Sequence, residues 1–197
     1  MGAADYKLRQ TAARDAADLA MLDNIGSHGL SLWFWQGAVK MGKADDPLDW
    51  GRQRMADQDM PFAWPNAVVA ELDDSVLGGI TSYLMPQLVD EDKAADPIMA
   101  PMMDLFASAA GHWLVDNLAV FENARGRGVG AALLDHAFEL ARKAECRQIS
   151  LVAADDNAPA LALYRSREFA ERDRRVAVPW SAHVKTKHWL LLTAPLN

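Results

Sequence analysis

Three glycines on alternate positions, Gly126, Gly128 and Gly130, follow and flank two arginines, Arg125 and Arg127, where an apolar run ending at Val120 gives way to an Ala/Leu-rich stretch. Glycine has no Cβ, so the chain can turn sharply there and bring its N–H groups against a ligand. The first N–H groups of a helix have no internal partner and sit at the positive end of its dipole. A glycine loop feeding a helix start is therefore an anion site, most often for phosphate. The two arginines add fixed positive charge. Alone, the loop fits more than one phosphate-bearing cofactor. Other reactive side chains lack local company. Cys146 reads as an apolar filler on a helix. His28 and His112 have no sequence partner, and no spacing of histidine, cysteine and carboxylates reads as a metal site.

The elements that must hold the loop follow from pattern. Tyr6 to Gln10 alternates and predicts a short strand. Asp15 is placed to cap a helix with apolar positions Ala16, Leu19, Ala20 and Leu22, ended by Ser27-His28-Gly29. Leu30 to Met41 reads as a second helix, and Asp46-Pro47 as cap and first turn of a third through Met55. The tryptophans of these two helices, Trp33, Trp35 and Trp50, fit either core filling or one wall of a substrate cleft. Asn66–Leu72 and Val76–Leu84 predict a hairpin across Asp73-Asp74-Ser75. Gly78-Gly79 suggests a bulge or the close approach of another backbone. Met85 to Pro97 reads as a loop, and Ile98 to Ala110 as a short helix whose Met99, Met102 and Met103 pack or form an apolar lip. Gly111–Val120 is the strand entering the loop, Gly128–Ala144 the helix leaving it, and Gln148–Ala153 a parallel strand reached by a right-handed crossover. Asp155-Asp156-Asn157 caps a helix from Ala158 to Arg165, with Pro159 in its first turn. Phe169–Pro179 and Lys185–Thr193 are the last strands.

The 197 residues suffice for one domain with a full core, and no repeat or linker divides them. Half the residues are apolar and the formal net charge is -7. That charge argues against nucleic acid, whose binding depends on neutralising phosphates, and is compatible with a cationic substrate. No apolar run reaches the ~20 residues of a membrane span. A single cysteine and the absence of a signal-peptide layout point to the cytoplasm.

With these elements in place the chain resembles the GNAT superfamily of acyl-coenzyme A-dependent N-acyltransferases. Arg125-Gly126-Arg127-Gly128-Val129-Gly130 satisfies its signature Gln/Arg-x-x-Gly-x-Gly/Ala. Leu118-Ala119-Val120-Phe121-Glu122 keeps Leu-x-Val of the usual Leu-x-Val-x-Pro but not the proline. Asn157, Ala160, Leu163, Tyr164 and Phe169 meet a second signature in which Glu168 replaces the usual glycine, a departure expected to alter that turn. The likeness is strongest over 111–169. It implies an α/β (α+β) fold with a mixed, mostly antiparallel central sheet of about seven strands flanked by helices, and a parallel strand–helix–strand core for coenzyme A. The whole chain, 1–197, is then one acetyltransferase domain.

The resemblance also implies roles. Main-chain groups of Leu118, Ala119 and Val120 pair with the pantetheine arm as an added strand, and the Val120 N–H polarises the thioester carbonyl. Arg125, Gly126, Arg127, Gly128, Val129, Gly130 and Ala131 hold the pyrophosphate. Asn157 reaches the pantetheine, and Tyr164 protonates the departing thiolate. For removing a proton from the attacking amine Asp116 fits, since strand alternation puts it on the same face as Val120, with Glu71, acting directly or through water, or water itself in reserve. The implied reaction carries acetyl from acetyl-coenzyme A to an amine, with no metal. The acceptor is a small molecule or, alternatively, a protein N-terminus or lysine. A homodimer is compatible with this, and a non-catalytic acyl-coenzyme A sensor is the other reading of the same fold. Gly126-x-Gly128-x-x-Ala131 also matches a relaxed dinucleotide fingerprint. However, Phe121–Arg125 separate strand from glycines, Glu145 precedes the next strand, and that family leaves Asn157–Phe169 unexplained.

Overall fold

Among the described residues seven strands form one sheet in the order β1-β2-β3-β4-β5-β7-β6. They are β1 Lys7–Gln10, β2 Ala67–Leu72, β3 Ser75–Leu84, β4 Trp113–Val120, β5 Gln148–Ala154, β6 Ala170–Val176 and β7 His188–Pro195. The computed structural model describes residues 5–87 and 96–196, so part of the loop expected between Met85 and Pro97 lies outside the described residues. Among the described residues six α-helices accompany the strands: α1 Ala16–Gly26, α2 Leu30–Lys40, α3 Pro47–Ala56, α4 Ala100–Ala107, α5 Val129–Lys143 and α6 Ala158–Arg165. This is the mixed, mostly antiparallel sheet that the sequence implies, with β4 and β5 parallel in the register Trp113↔Ile149 to Val115↔Leu151. The chain divides into two units: Met1–Ser82 with Asp116–Ala137, and Tyr83–Val115 with Phe138–Asn197.

In the first unit, Ala16, Leu19 and Ala20 of α1, Trp35 of α2 and Met55 of α3 pack on Ala67 and Val69 of β2. Helical spacing on one side and strand alternation on the other supply these contacts. Trp35 is thus core, 4 % exposed, and Gly51 makes room for it: a Cβ there would lie 2.7 Å from the indole. Asp46 caps α3 as expected, accepting from the Asp49 N–H at 2.8 Å. Asp15 does not cap α1. Its carboxylate turns back to the Ala12 N–H at 2.8 Å and to Arg9, two bonds of 2.9 Å, which together occupy both of its oxygens. The hairpin turns on Asp73 and Asp74, both left-handed (φ 48° and 60°), as a two-residue turn matching strand twist requires. Both sequence readings of Gly78-Gly79 hold. The β2–β3 register slips beside Gly78, and a Cβ on Gly78 would stand 2.7 Å from the Ala119 carbonyl oxygen, so β4 comes in against bare backbone.

The second unit is built on Leu114, Ile149, Leu151, Leu190 and Leu192, all buried. Asn157 alone caps α6, through the Ala160 N–H at 3.3 Å. Asp155 and Asp156 instead bind the segment entering β7, at His188 Nδ1 (3.0 Å), the Lys187 N–H (2.9 Å) and Thr186 Oγ1 (2.8 Å). The turn after α6 is not altered by Glu168. That residue adopts the left-handed conformation glycine would favour (φ 62°), and the Phe169 N–H closes the helix on the Tyr164 carbonyl at 3.2 Å. The last strands differ in their limits from the expectation. β6 stops at Val176, before Pro179, and β7 begins at His188.

Candidate active site

The glycine loop is built as its residue types demand. β4 ends at Val120, a short 3₁₀ turn covers Glu122–Ala124, and α5 starts at Val129. Gly126 and Gly128 are both left-handed (φ 74° and 79°), and no heavy atom beyond the neighbouring residues stands within 4 Å of a Cβ position at Gly126. These two glycines are therefore needed for backbone conformation and leave open space above the turn. Gly128 contributes the first carbonyl of α5, accepting from the Ala132 N–H at 3.0 Å. The N–H groups of Val129, Gly130 and Ala131 then have no carbonyl one turn back to bond, and they carry the helix's positive end. Arg127 is exposed. Arg125 turns back on the strand, its Nε donating to the Val120 carbonyl at 3.3 Å. An open turn, unspent N–H groups and two guanidinium groups are what a pyrophosphate requires.

Leu118, Val120 and Asp116 are half-buried in β4, while Ala119 is buried. Glu71 is differently placed. Lys7 Nζ lies 2.9 Å from its carboxylate and Arg9 Nε also bonds it. Lys7 first and Arg9 second hold its pKa below the usual carboxylate range, which makes it a weak proton acceptor. The structure adds a carboxyl that the motifs do not mark. Asp23, near the end of α1, accepts from Asn117 Nδ2 of β4 at 3.0 Å. Burial raises its pKa, against the bonds from Ser31 and Asn117 that favour the charge. No cation lies within ion-pair distance of it among the described residues. Gly26 accommodates the pair: a Cβ there would lie 2.1 Å from Asn117 Oδ1.

In the second unit Tyr164 is buried on α6, its ring edge-on to Phe169 at 5.8 Å, with Phe138 on the far side of Phe169 at 5.7 Å. Burial pushes its phenol up to about 12. Its hydroxyl makes no hydrogen bond among the described residues. His112 is spent on structure: Nδ1 meets Ser150 Oγ at 2.7 Å, which meets Thr193 Oγ1 at 2.9 Å. Burial, then Arg172, lowers its pKa. Cys146 is half-buried, and burial raises its thiol. Among the described residues no three histidine, cysteine or carboxylate groups converge on a metal position, and no helix is long and apolar enough to cross a membrane.

A strand, a glycine turn at a helix start, a crossover helix and a parallel strand make up this core. Residues 35–169 match the acetyltransferase (GNAT) family, and the chain belongs to that family. Its fold is shared by a solved acetyltransferase (TM-score 0.66, 18% identity, covering 97% of this chain and 100% of the other). An N-acetyltransferase from Staphylococcus aureus Mu50 is similar (0.63, 19%, 95% and 100%), as is Ard1 from Thermoplasma volcanium (0.60, 13%, 98% and 99%). No curated protein sequence matches the chain.

Proposed function

We propose that the chain is a single-domain cytoplasmic N-acetyltransferase that moves the acetyl group of acetyl-coenzyme A onto a primary amine, a small molecule in the first instance, by direct attack with both substrates bound. The observation that carries this reading is the loop: left-handed Gly126 and Gly128 open onto the unspent N–H groups of α5 in a chain of the acetyltransferase family. Those N–H groups, with Arg125 and Arg127, take the pyrophosphate. Main-chain groups of Leu118, Ala119 and Val120 take the pantetheine arm, the Val120 N–H polarising the thioester carbonyl, and Asn157 also reaches the pantetheine. Asp116 accepts a proton from the ammonium. The freed nitrogen attacks the thioester carbon, the C–S bond breaks, Tyr164 protonates the departing sulfur, and the surplus proton on the new amide nitrogen passes through solvent to restore the Tyr164 phenol. Glu71 is a poor substitute for Asp116, since its charge is already held by Lys7 and Arg9.

Thiol release from acetyl-coenzyme A, measured across a panel of small amines and peptide N-termini, tests the reading. Release with at least one small amine, and a rise in melting temperature with acetyl-coenzyme A but not NAD, is the expected result. Stabilisation with no release across the panel would make the protein a sensor, and release with peptides alone would move the acceptor class. No stabilisation by acetyl-coenzyme A would remove the reading altogether.

A further inference from the structure

The residue just before β1 reaches the glycine loop from the other end of the first unit's sequence. The Tyr6 hydroxyl oxygen lies 3.9 Å from the position a Cβ on Gly128 would take, and among the described residues no other heavy atom outside the loop's own neighbours comes within 4 Å. The placement is fixed by the sheet. Lys7 pairs with Glu71 and Leu8 with Ala70, and the Lys7 ammonium closes on the Glu71 carboxylate, so the chain at Tyr6 cannot slide along β2. The ring is half-buried, yet its hydroxyl makes no hydrogen bond among the described residues. A phenol O–H is a donor as well as an acceptor, so it can serve a ligand that arrives beside it. This one stands unspent beside a left-handed glycine whose successors present bare N–H groups.

We propose that Tyr6 is a coenzyme-binding residue, donating its O–H to a pyrophosphate oxygen held at Gly128. The proposal rests on the reading that the loop takes the pyrophosphate of coenzyme A, and extends that site to a residue outside both signature motifs. A hydroxyl donor suits the place. It adds a charge-assisted bond to the anion without adding a cation to a loop already carrying Arg125 and Arg127. It also makes β1 part of the donor site, so donor binding and the β1–β2 pairing support one another.

The test is the Tyr6→Phe variant, which keeps the ring and removes only the donor. Calorimetry would compare coenzyme A, inorganic pyrophosphate and pantetheine, with the melting temperature of the unliganded proteins as a control. The expected result is a loss of affinity on the order of tenfold for coenzyme A and for pyrophosphate, the size of a hydrogen bond to a charged group. Pantetheine affinity and unliganded melting temperature should not change. Equal affinity for coenzyme A in both proteins would overturn the proposal, as would an equal loss for pantetheine, which would make Tyr6 merely structural. If the unsubstituted protein binds neither coenzyme A nor pyrophosphate, the donor reading itself fails and Tyr6 goes with it.

Discussion

Tyr164 keeps its proton across the working pH range, because burial lifts its phenol to about 12. The same burial makes it a weaker acid than a free phenol. It suits a leaving thiolate only where desolvation also raises that thiolate above its ordinary pKa of about 8.5. Tyr164→Phe should therefore lower kcat by only ~10²-fold, the lower end of the range for acid–base residues, and leave coenzyme A affinity unchanged. Since the phenol does not ionise below about pH 11, the rate should show no alkaline decline from Tyr164 between pH 7 and 10. Pre-steady-state and pH–rate measurements check both points, and an unchanged kcat would remove Tyr164 from the mechanism. Residues of this kind stand out in the sequence because they sit inside spaced motifs: Asn157 caps α6 and Tyr164 lies two turns further along it. Asp23 does not. Its partner Asn117 is 94 positions away, and no local pattern marks a carboxyl whose environment is made by another element.

Arg9 of β1 bridges Asp15, at the start of α1, and Glu71 of β2, and both carboxylates are almost wholly buried. Removing the guanidinium would leave two desolvated charges with fewer partners: Asp15 with only the Ala12 N–H, and Glu71 with the exposed Lys7. Arg9→Met should destabilise the fold, since removing the shared partner leaves two carboxylates less compensated. It would be seen as a lower urea midpoint with an unchanged m-value. A loss under ~1 kcal/mol would mean that water reaches both carboxylates. Element types were legible from apolar periodicity, and the hairpin from its Asp73-Asp74 turn. Element ends were less so, because long-range partners decide them. Asp15 reads as a cap until Arg9 is folded beside it. Asp155 and Asp156 read as caps until the segment entering β7 comes to meet them. Glu168 shows the reverse case: the turn keeps the left-handed backbone of a glycine even though the residue there is not one.

At the scale of the whole molecule, shifted carboxylates give the fold two opposing pH dependences. Asp15 and Glu71 are held below their ordinary range, chiefly by Arg9 for Asp15 and by Lys7 for Glu71. Their stabilisation is complete above the unfolded carboxylate pKa of about 4 and is lost as pH falls through their lower folded values. Asp23 runs the other way, since burial raises its pKa and the unfolded chain ionises first. Between the unfolded and folded values the native state binds the extra proton, so its contribution weakens as pH rises through that window and remains a penalty at neutral pH. Asp23→Asn removes the charge and keeps a carbonyl oxygen able to accept from Asn117 Nδ2. The variant should melt higher than the unsubstituted protein at pH 7–8, each ~1 kcal/mol of relief reading as about 2–4 °C in a chain of this length. The gap should narrow as pH approaches about 4, where the unfolded carboxyl also takes a proton. Scanning calorimetry of the two proteins from pH 4 to 8 separates the outcomes. A difference independent of pH would mean that Asp23 acts through packing, and a less stable variant at pH 8 would mean that its charge has a cationic partner.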